Sequence, residues 1–367
     1  MQANTTEINS SPRFDALTGV RWFAATLVFV YHNRKYWRSN VTHTALQFMN
    51  EMGIGVAVFF VLSGFLIAYT YGQKPLENRQ SYFKYFLQRA ARILPLYWLI
   101  LTARYIDYGF PNLKFTLLTY SLFHGYSGVH NLDGIGQAWT LSIEMAFYIL
   151  APLLFLLGNK SLTKLIVFCL GLFSLAWFIG WIWTKANGNP GEYFYGFHFL
   201  AGATFLGRFP EFLAGMWLAM SLKKTKLPIL LKWKYKTLVG FLGLWMGIYL
   251  LAMCEPNIFS HGTETWKGQI VFYTFIPFFT MLWLAGLITE KTKMQYFLSS
   301  KPMVLLGNAS FAFYLVHLSY VNIRLRGIIL FPDRNYVLLW IISILLYLTF
   351  EKPLYSWVRK LLFHKRI

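Results

Sequence analysis

The chain has 367 residues, 56% of them hydrophobic and only 13% charged, with 35 Phe, 23 Tyr and 14 Trp. A soluble domain carries about 25% charged residues. This balance therefore excludes an ordinary soluble enzyme and points to an all-α polytopic membrane helical bundle. The net charge of +20 would suit nucleic acid, but the basic residues are scattered between apolar runs, where positive-inside topology and contact with anionic membrane lipid account for them.

Residues 1–12 are polar and read as a disordered tail. The first apolar run has no A-x-A-type cleavage site after it, so it reads as an uncleaved span rather than a signal peptide. Hydropathy predicts about ten transmembrane helices, near 17–33, 53–72, 92–109, 136–157, 163–184, 209–222, 237–254, 269–288, 303–322 and 336–357. The apolar stretch 114–126 is too short to span and reads as re-entrant or interfacial. Residues 188–207, rich in Gly and aromatics, form the largest candidate outer loop and could fold over a cavity. The transmembrane domain is placed at 13–358 and a basic cytoplasmic tail at 359–367. Cys169 and Cys254 fall in apolar runs and signal neither a disulfide framework nor a metal site.

An even number of spans puts both termini on one side. That side collects 21 basic residues, among them the cluster from Lys74 to Arg92 and six lysines from Lys223 to Lys236, against 11 on the other. The positive-inside rule then makes both termini cytoplasmic.

Span one opens with Arg21 and closes with His32. Eleven helical steps are three turns plus roughly 20°, so both side chains share a face about 16 Å apart, half of a hydrocarbon core of about 30 Å. Buried ionisable groups at that depth point into a protein interior or a watery cavity, though snorkelling by Arg21 and end-capping by His32 would explain them equally. Span three begins with Arg89 and Arg92, three residues apart on one face near the cytoplasmic surface. Span four carries Trp139 and Glu144 in its outer half, span six begins Arg208-Phe-Pro210-Glu211, and span nine brings Ser310, Tyr314 and His317 outward.

Two clusters follow. The outer one holds His32, Glu144, Glu211, Arg208 and His317; the inner one holds Arg89 and Arg92, with Arg21 between the inner surface and the midplane. Each member has a plain structural alternative. Arg89 and Arg92 could be topology anchors, Glu211 a salt-bridge partner of Arg208, and His317 a satisfied core histidine. An imidazole and a carboxylate at one level make a general base with an orienting acid. Paired guanidinium forks grip phosphate oxygens. The pattern fits a two-substrate membrane enzyme that takes a phosphate-bearing donor from inside and an acceptor from outside.

The same residues resemble the acyltransferase-3 family of integral-membrane O-acyltransferases, which modify sugars of envelope and secreted polysaccharides. The resemblance rests on Arg13 through His32, Gly55 through Ile67 with Ser63-Gly64, Arg89 through Pro95, Trp139 through Glu144 with Phe147-Tyr148, Arg208 through Gly215, Ser310 through His317, and Glu351-Lys352-Pro353. It implies ten spans in a bacterial cytoplasmic (inner) membrane. The implied reaction transfers an acyl group, commonly acetyl, from acyl-CoA to a sugar or polysaccharide hydroxyl, with no permanently bound cofactor. His32 matches the family's essential histidine and Arg21 its paired arginine, while Arg89 and Arg92 match its second arginine pair. On that reading His32, helped by Glu144, is the base, Arg21 holds donor or developing charge, Arg89 and Arg92 bind acyl-CoA, and Glu211, Arg208, His317 and Trp139 face the acceptor. A covalent acyl-histidine relay stays open.

Trp22 stands where many relatives have glycine, marking a subgroup with a different donor or acceptor fit. Some relatives carry an extracytoplasmic hydrolase-like domain; with the chain ending at Ile367, that role is expected of a separate extracytoplasmic partner protein. Ser63 lies in Leu-Ser-Gly rather than G-x-S-x-G and reads as a helix-packing residue. The alternatives are acyl transfer to a small hydrophobic molecule such as a macrolide, and a non-enzymatic transporter or flippase.

Overall fold

The computed structural model describes residues 14–37, 40–72, 79–187, 196–224, 228–254, 260–328 and 332–363. The predicted tail at 1–12, residues 364–367 of the predicted basic tail and residues 188–195 of the predicted outer loop lie outside the described residues. The principal helices are α1 (Asp15–Asn33), α2 (Gly55–Tyr71), α3 (Arg79–Tyr108), α4 (Trp139–Lys160) and α5 (Leu162–Asn187). They continue with α6 (Phe205–Leu222), α7 (Lys236–Cys254), α8 (Trp266–Thr289), α9 (Lys301–Val316) and α10 (Pro332–Leu346). There is no β-strand among the described residues.

Each predicted span overlaps one of these helices, although the ninth, 303–322, outlasts α9, which ends at Val316. Among the described residues, six helical stretches, including α4, α7 and α8, are long and apolar enough to cross a membrane. Helix α7 shows why the protein belongs in lipid. Leu238, Leu242, Met246, Tyr249 and Met253, three or four residues apart, form an exposed apolar stripe. Its opposite face carries Gly240, Gly243 and Gly247 against α8. Small residues inside and large apolar residues outside are how helices pack in a membrane; in water that outer stripe would aggregate.

A close core seam joins α2 and α6. A Cβ on Gly64 would stand 2.2 Å from the Phe212 carbonyl oxygen, and one on Gly215 would stand 2.0 Å from that of Val61. Only glycine lets the two backbones touch, so Gly64 serves helix packing as the sequence suggests, whereas Ser63 lines a cavity and donates to Glu144.

The differences from the predicted bounds have local causes. Helix α3 starts at Arg79, well before the predicted 92, because helix geometry continues where hydropathy stops. The predicted last span is not one regular helix: α10 runs into a π-helical turn, Tyr347–Glu351, and then a helix over Lys352–Phe363. Pro353 lacks the N–H that would bond residue 349, and the turn widens just before it. Helix α8 repeats the device, with a π-helical turn at Val271–Phe275 ahead of Pro277. The interfacial stretch forms a short helix, Leu113–Tyr120, and a turn at Leu122 (φ 64°) held by Ser142, whose Oγ donates to the Leu122 carbonyl at 2.6 Å.

Candidate active site

Two cavities lie along the bundle axis. The inner one, about 110 Å³, is bounded by Arg21, Ser63, Arg89, Arg92, Glu144 and Tyr148, among others. The outer one, about 660 Å³, is bounded by Tyr31, His32, Glu51, Trp139, Arg208 and His261, among others. Val56 and Tyr314 line both and form the partition. Three helices report the same axial order. Helix α1 runs from Arg21 at the inner cavity to His32 at the outer; α9 runs from Ser310 at the inner cavity to Tyr314 at the partition; α4 runs the other way, from Trp139 to Tyr148.

His32 closes the last turn of α1. Its Nδ1 lies 3.0 Å from Nε2 of His317. His317 in turn holds its Nδ1 2.7 Å from the Tyr314 carbonyl oxygen. A carbonyl only accepts, so His317 Nδ1 carries the proton and, in the neutral ring, Nε2 accepts. His32 must then donate from Nδ1, which puts its basic lone pair on Nε2. Gln137 Nε2 donates to the same Tyr314 carbonyl at 2.7 Å, and Phe313 stacks parallel to the His317 ring at 6.0 Å. The buried His317 is thus a fixed support behind His32, rather than part of the outer cavity's wall.

Glu144 is corrected in position. It faces the inner cavity, not His32, and its Oε1 accepts from Ser63 Oγ at 2.9 Å and from Tyr148 Oη. Depth alone misled: Glu144 is five residues beyond Trp139, about 7.5 Å along the helix and 140° around it. Arg21 also lies with Arg89 and Arg92 in one cavity rather than apart from them, and it feels the charges of Arg92, Glu144 and Glu351. Glu351, buried in the π-helical turn before Pro353, adds an acid beside these arginines that the sequence reading had only as part of a motif. The Nε of Arg89 is buried without a hydrogen-bond partner among the described residues. Three guanidinium groups converging on a small cavity make an anion-binding surface.

Arg208 lines the outer cavity. Its Nε donates to Glu211 Oε1 at 2.6 Å and its Nη1 to the Gly202 carbonyl at 3.2 Å, and its guanidinium packs on Phe60 and Phe272. Glu211, fully buried, stands behind it as a salt-bridge partner instead of facing the cavity. Trp139 lines the outer cavity as expected. Of the predicted outer loop, Gly196–Ala203 is a helix whose Ala201 and Gly202 border that cavity.

Sequence reasoning missed the cavity's other wall. Glu51 Oε1 accepts from the Gly262 amide at 2.9 Å, and Tyr31 Oη lies 3.2 Å from His261 Nε2. Burial, and then the Arg34 charge, hold His261 below the ordinary imidazole value, so this wall carries a neutral ring. An isolated acid at a span boundary, Glu51, was the one signal available for it.

A family model described as an acyltransferase domain matches residues 14–351. The chain belongs to this acyltransferase family. Among its relatives, the putative peptidoglycan O-acetyltransferase YrhL of Bacillus subtilis is 24% identical over 82% of this chain and 47% of its own length. The O-acetyltransferase OatA of Staphylococcus aureus is 25% identical over 84% of this chain and 50% of its own. Acyltransferase MdmB of Streptomyces mycarofaciens is 30% identical over 43% of each chain. The chain spans about half the length of these curated relatives or less. No solved structure is a significant match. The acyltransferase-3 membrane bundle read from the sequence is borne out by the family match and the helical fold.

Proposed function

We propose that the protein is a multi-pass O-acyltransferase of the bacterial inner membrane, moving an acyl group, most simply acetyl, from acyl-CoA to a hydroxyl of an envelope sugar. The observation that carries this reading is the hydrogen-bonded line from the Tyr314 carbonyl through His317 to His32, set at an outer cavity one residue's thickness from an arginine-lined inner one. Tyr314 belongs to both, so a thioester held on the inner side and a hydroxyl held on the outer side would meet at that residue.

In the proposed reaction Arg21, Arg89 and Arg92 hold donor phosphates or developing charge, with Glu144 fixed by Ser63 and Tyr148 as their counter-charge. His32 Nε2 takes the hydroxyl proton as the acceptor oxygen bonds to the thioester carbon. The carbon–sulfur bond breaks, and the departing thiolate takes the proton back from His32. His317 keeps the tautomer that makes this possible. The name of YrhL, a putative peptidoglycan O-acetyltransferase, supports an acceptor in the envelope, and that of OatA supports O-acetyl transfer.

The test is transfer from radiolabelled acetyl-CoA by the full chain in nanodiscs. Release of free CoA with label on a sugar is expected from the parent protein. His32→Ala should lose at least about 100-fold of that rate, within the 10²–10⁴ range of general base catalysis, while still inserting. Parental activity in inserted His32→Ala protein would sink the assignment.

A further inference from the structure

The outer cavity is larger than a proton acceptor needs, within the roughly 300–1,000 Å³ of small-molecule sites. Its wall holds polar atoms that the base chemistry leaves unused. Asn50 is 2% exposed; its Nδ2 donates to the Ser260 carbonyl, which fixes the orientation of the amide. Its Oδ1 has no hydrogen-bond partner among the described residues. Arg208 is 3% exposed and bonded through Nε and Nη1, yet its Nη2 likewise has none among them. A buried acceptor and a buried donor left unpaired on two residues of one cavity wall are a cost that a bound polar molecule recovers.

The charge on this wall narrows what that molecule is. Glu51 and Glu264 both line the cavity, each anchored by one oxygen: Glu51 to the Gly262 amide at 2.9 Å, Glu264 to the His261 amide at 3.3 Å. Arg208 is already matched by Glu211, and Arg34, whose charge reaches this wall, by Glu51. Trp139 and Tyr273 add flat aromatic faces.

We propose that this wall is the acceptor subsite and that it selects a neutral, polyhydroxylated sugar over an anionic one. Sugar hydroxyls donate to Asn50 Oδ1 and to the two carboxylates, a sugar oxygen accepts from Arg208 Nη2, and the C–H face of the ring rests on Trp139. A uronate would bring a further carboxylate to a wall where Glu51 and Glu211 already answer the charges of Arg34 and Arg208 and Glu264 has no counter-charge to spare among the described residues. This inference rests on the acyl-transfer reading for the identity of the bound molecule as acceptor.

The experiment measures binding and transfer separately on the full chain in nanodiscs. The probes are a neutral N-acetylglucosamine oligomer and a galacturonate oligomer of equal length. Titration should give binding of the neutral oligomer at least 10-fold tighter than the uronate. Asn50→Leu should weaken the neutral oligomer roughly 10-fold or more, as loss of a buried hydrogen bond does. The double variant Glu51→Gln with Glu264→Gln keeps both anchoring acceptors and removes both charges, so it stays testable where Asn50→Leu does not fold. It should narrow the neutral-to-uronate preference by roughly 10-fold. Equal binding of both oligomers by the parent, no binding of either, or an unchanged preference in the double variant would each overturn the subsite. Sugar binding without CoA release would instead sink the acyl-transfer reading and leave the subsite standing; CoA release without sugar binding does the reverse.

Discussion

At the scale of single residues, the proton inventory of the histidine pair decides what His32 does. His317 cannot be exchanged for a group of similar bulk without freeing the tautomer of His32, because His32 Nδ1 donates to His317 Nε2, which is left unprotonated by the commitment of that ring's one proton, on Nδ1, to the Tyr314 carbonyl. His317→Asn should therefore lower kcat by about 10- to 1,000-fold, in line with general-base contributions, with KM for donor and acceptor within about twofold. A matching rise in either KM would make His317 a substrate contact instead of a positioning residue. The inner arginines predict the opposite split. Arg89→Ala with Arg92→Ala should raise the donor KM by roughly 10- to 100-fold per lost charged contact and spare acceptor binding, and lysine should restore only part, lacking the bidentate fork. Unchanged donor affinity would leave both residues as topology anchors. The eleven-residue spacing of Arg21 and His32 made this much legible, since helix period alone aligns them. The His32–His317 bond was not legible, because it joins residues 285 positions apart and depends on the rotation of two helices.

Elements are where local chemistry sets the chambers. Each π-helical turn widens its helix just before a proline, and each puts a side chain at a cavity or its charges: Phe272 and Tyr273 at the outer one, Glu351 beside the inner arginines. Pro277 and Pro353 were visible in the sequence, but which side chain the extra residue re-aims is a matter of packing. At the inner end of the bundle, the carboxylate after α8 caps α7. Glu290 accepts from the Lys236 and Thr237 amides at 2.8 and 3.0 Å and from Thr237 Oγ1 at 2.7 Å, with Lys236 Nζ at 3.2 Å. Partial burial pushes this carboxyl up, but the bonds from Thr237 and Lys236 outweigh it and hold it below the usual 4.5. Glu290→Ala should thus cost about 1 kcal/mol, the typical worth of a cap, seen as a lower thermal midpoint in nanodiscs at neutral pH. A depressed carboxyl contributes stability above its unfolded value of 4.5 and loses it as pH falls through the folded one. The parent's advantage over Glu290→Ala should accordingly shrink as pH is lowered below 4.5; an advantage constant with pH would mean that the charge of Glu290 plays no part.

For the whole molecule, the axial stacking of two cavities turns topology into mechanism. Hydropathy made the all-helical apolar bundle legible because apolar length is a property of consecutive residues, and the Lys and Arg bias gives the expected orientation in the same way. The chambers themselves were only half legible. Depth assigned Glu144 and His32 to one level, whereas the partition at Val56 and Tyr314 separates them. That partition sharpens the expectation of sidedness. The positive-inside expectation of cytoplasmic termini would have α1 run outward, with Arg21 and the inner cavity toward the cytoplasm and His32 toward the outer face. An acyl-CoA whose phosphates meet Arg21, Arg89 and Arg92 then needs to carry only its thioester past Tyr314, within the axial separation of about 16 Å between Arg21 and His32. The donor should enter from the cytoplasmic side and the acylated product appear on the outer side, with no continuous pore between them. Vesicles of known orientation decide this when radiolabelled acetyl-CoA is supplied on one side and the acceptor on the other. Label should transfer only with donor on the cytoplasmic face and acceptor on the outer face, while a membrane-impermeant tracer of similar size to the sugar stays where it was loaded. Transfer confined to vesicles holding both substrates on the cytoplasmic face would refute the two-sided arrangement, and passage of the tracer would refute the closed partition.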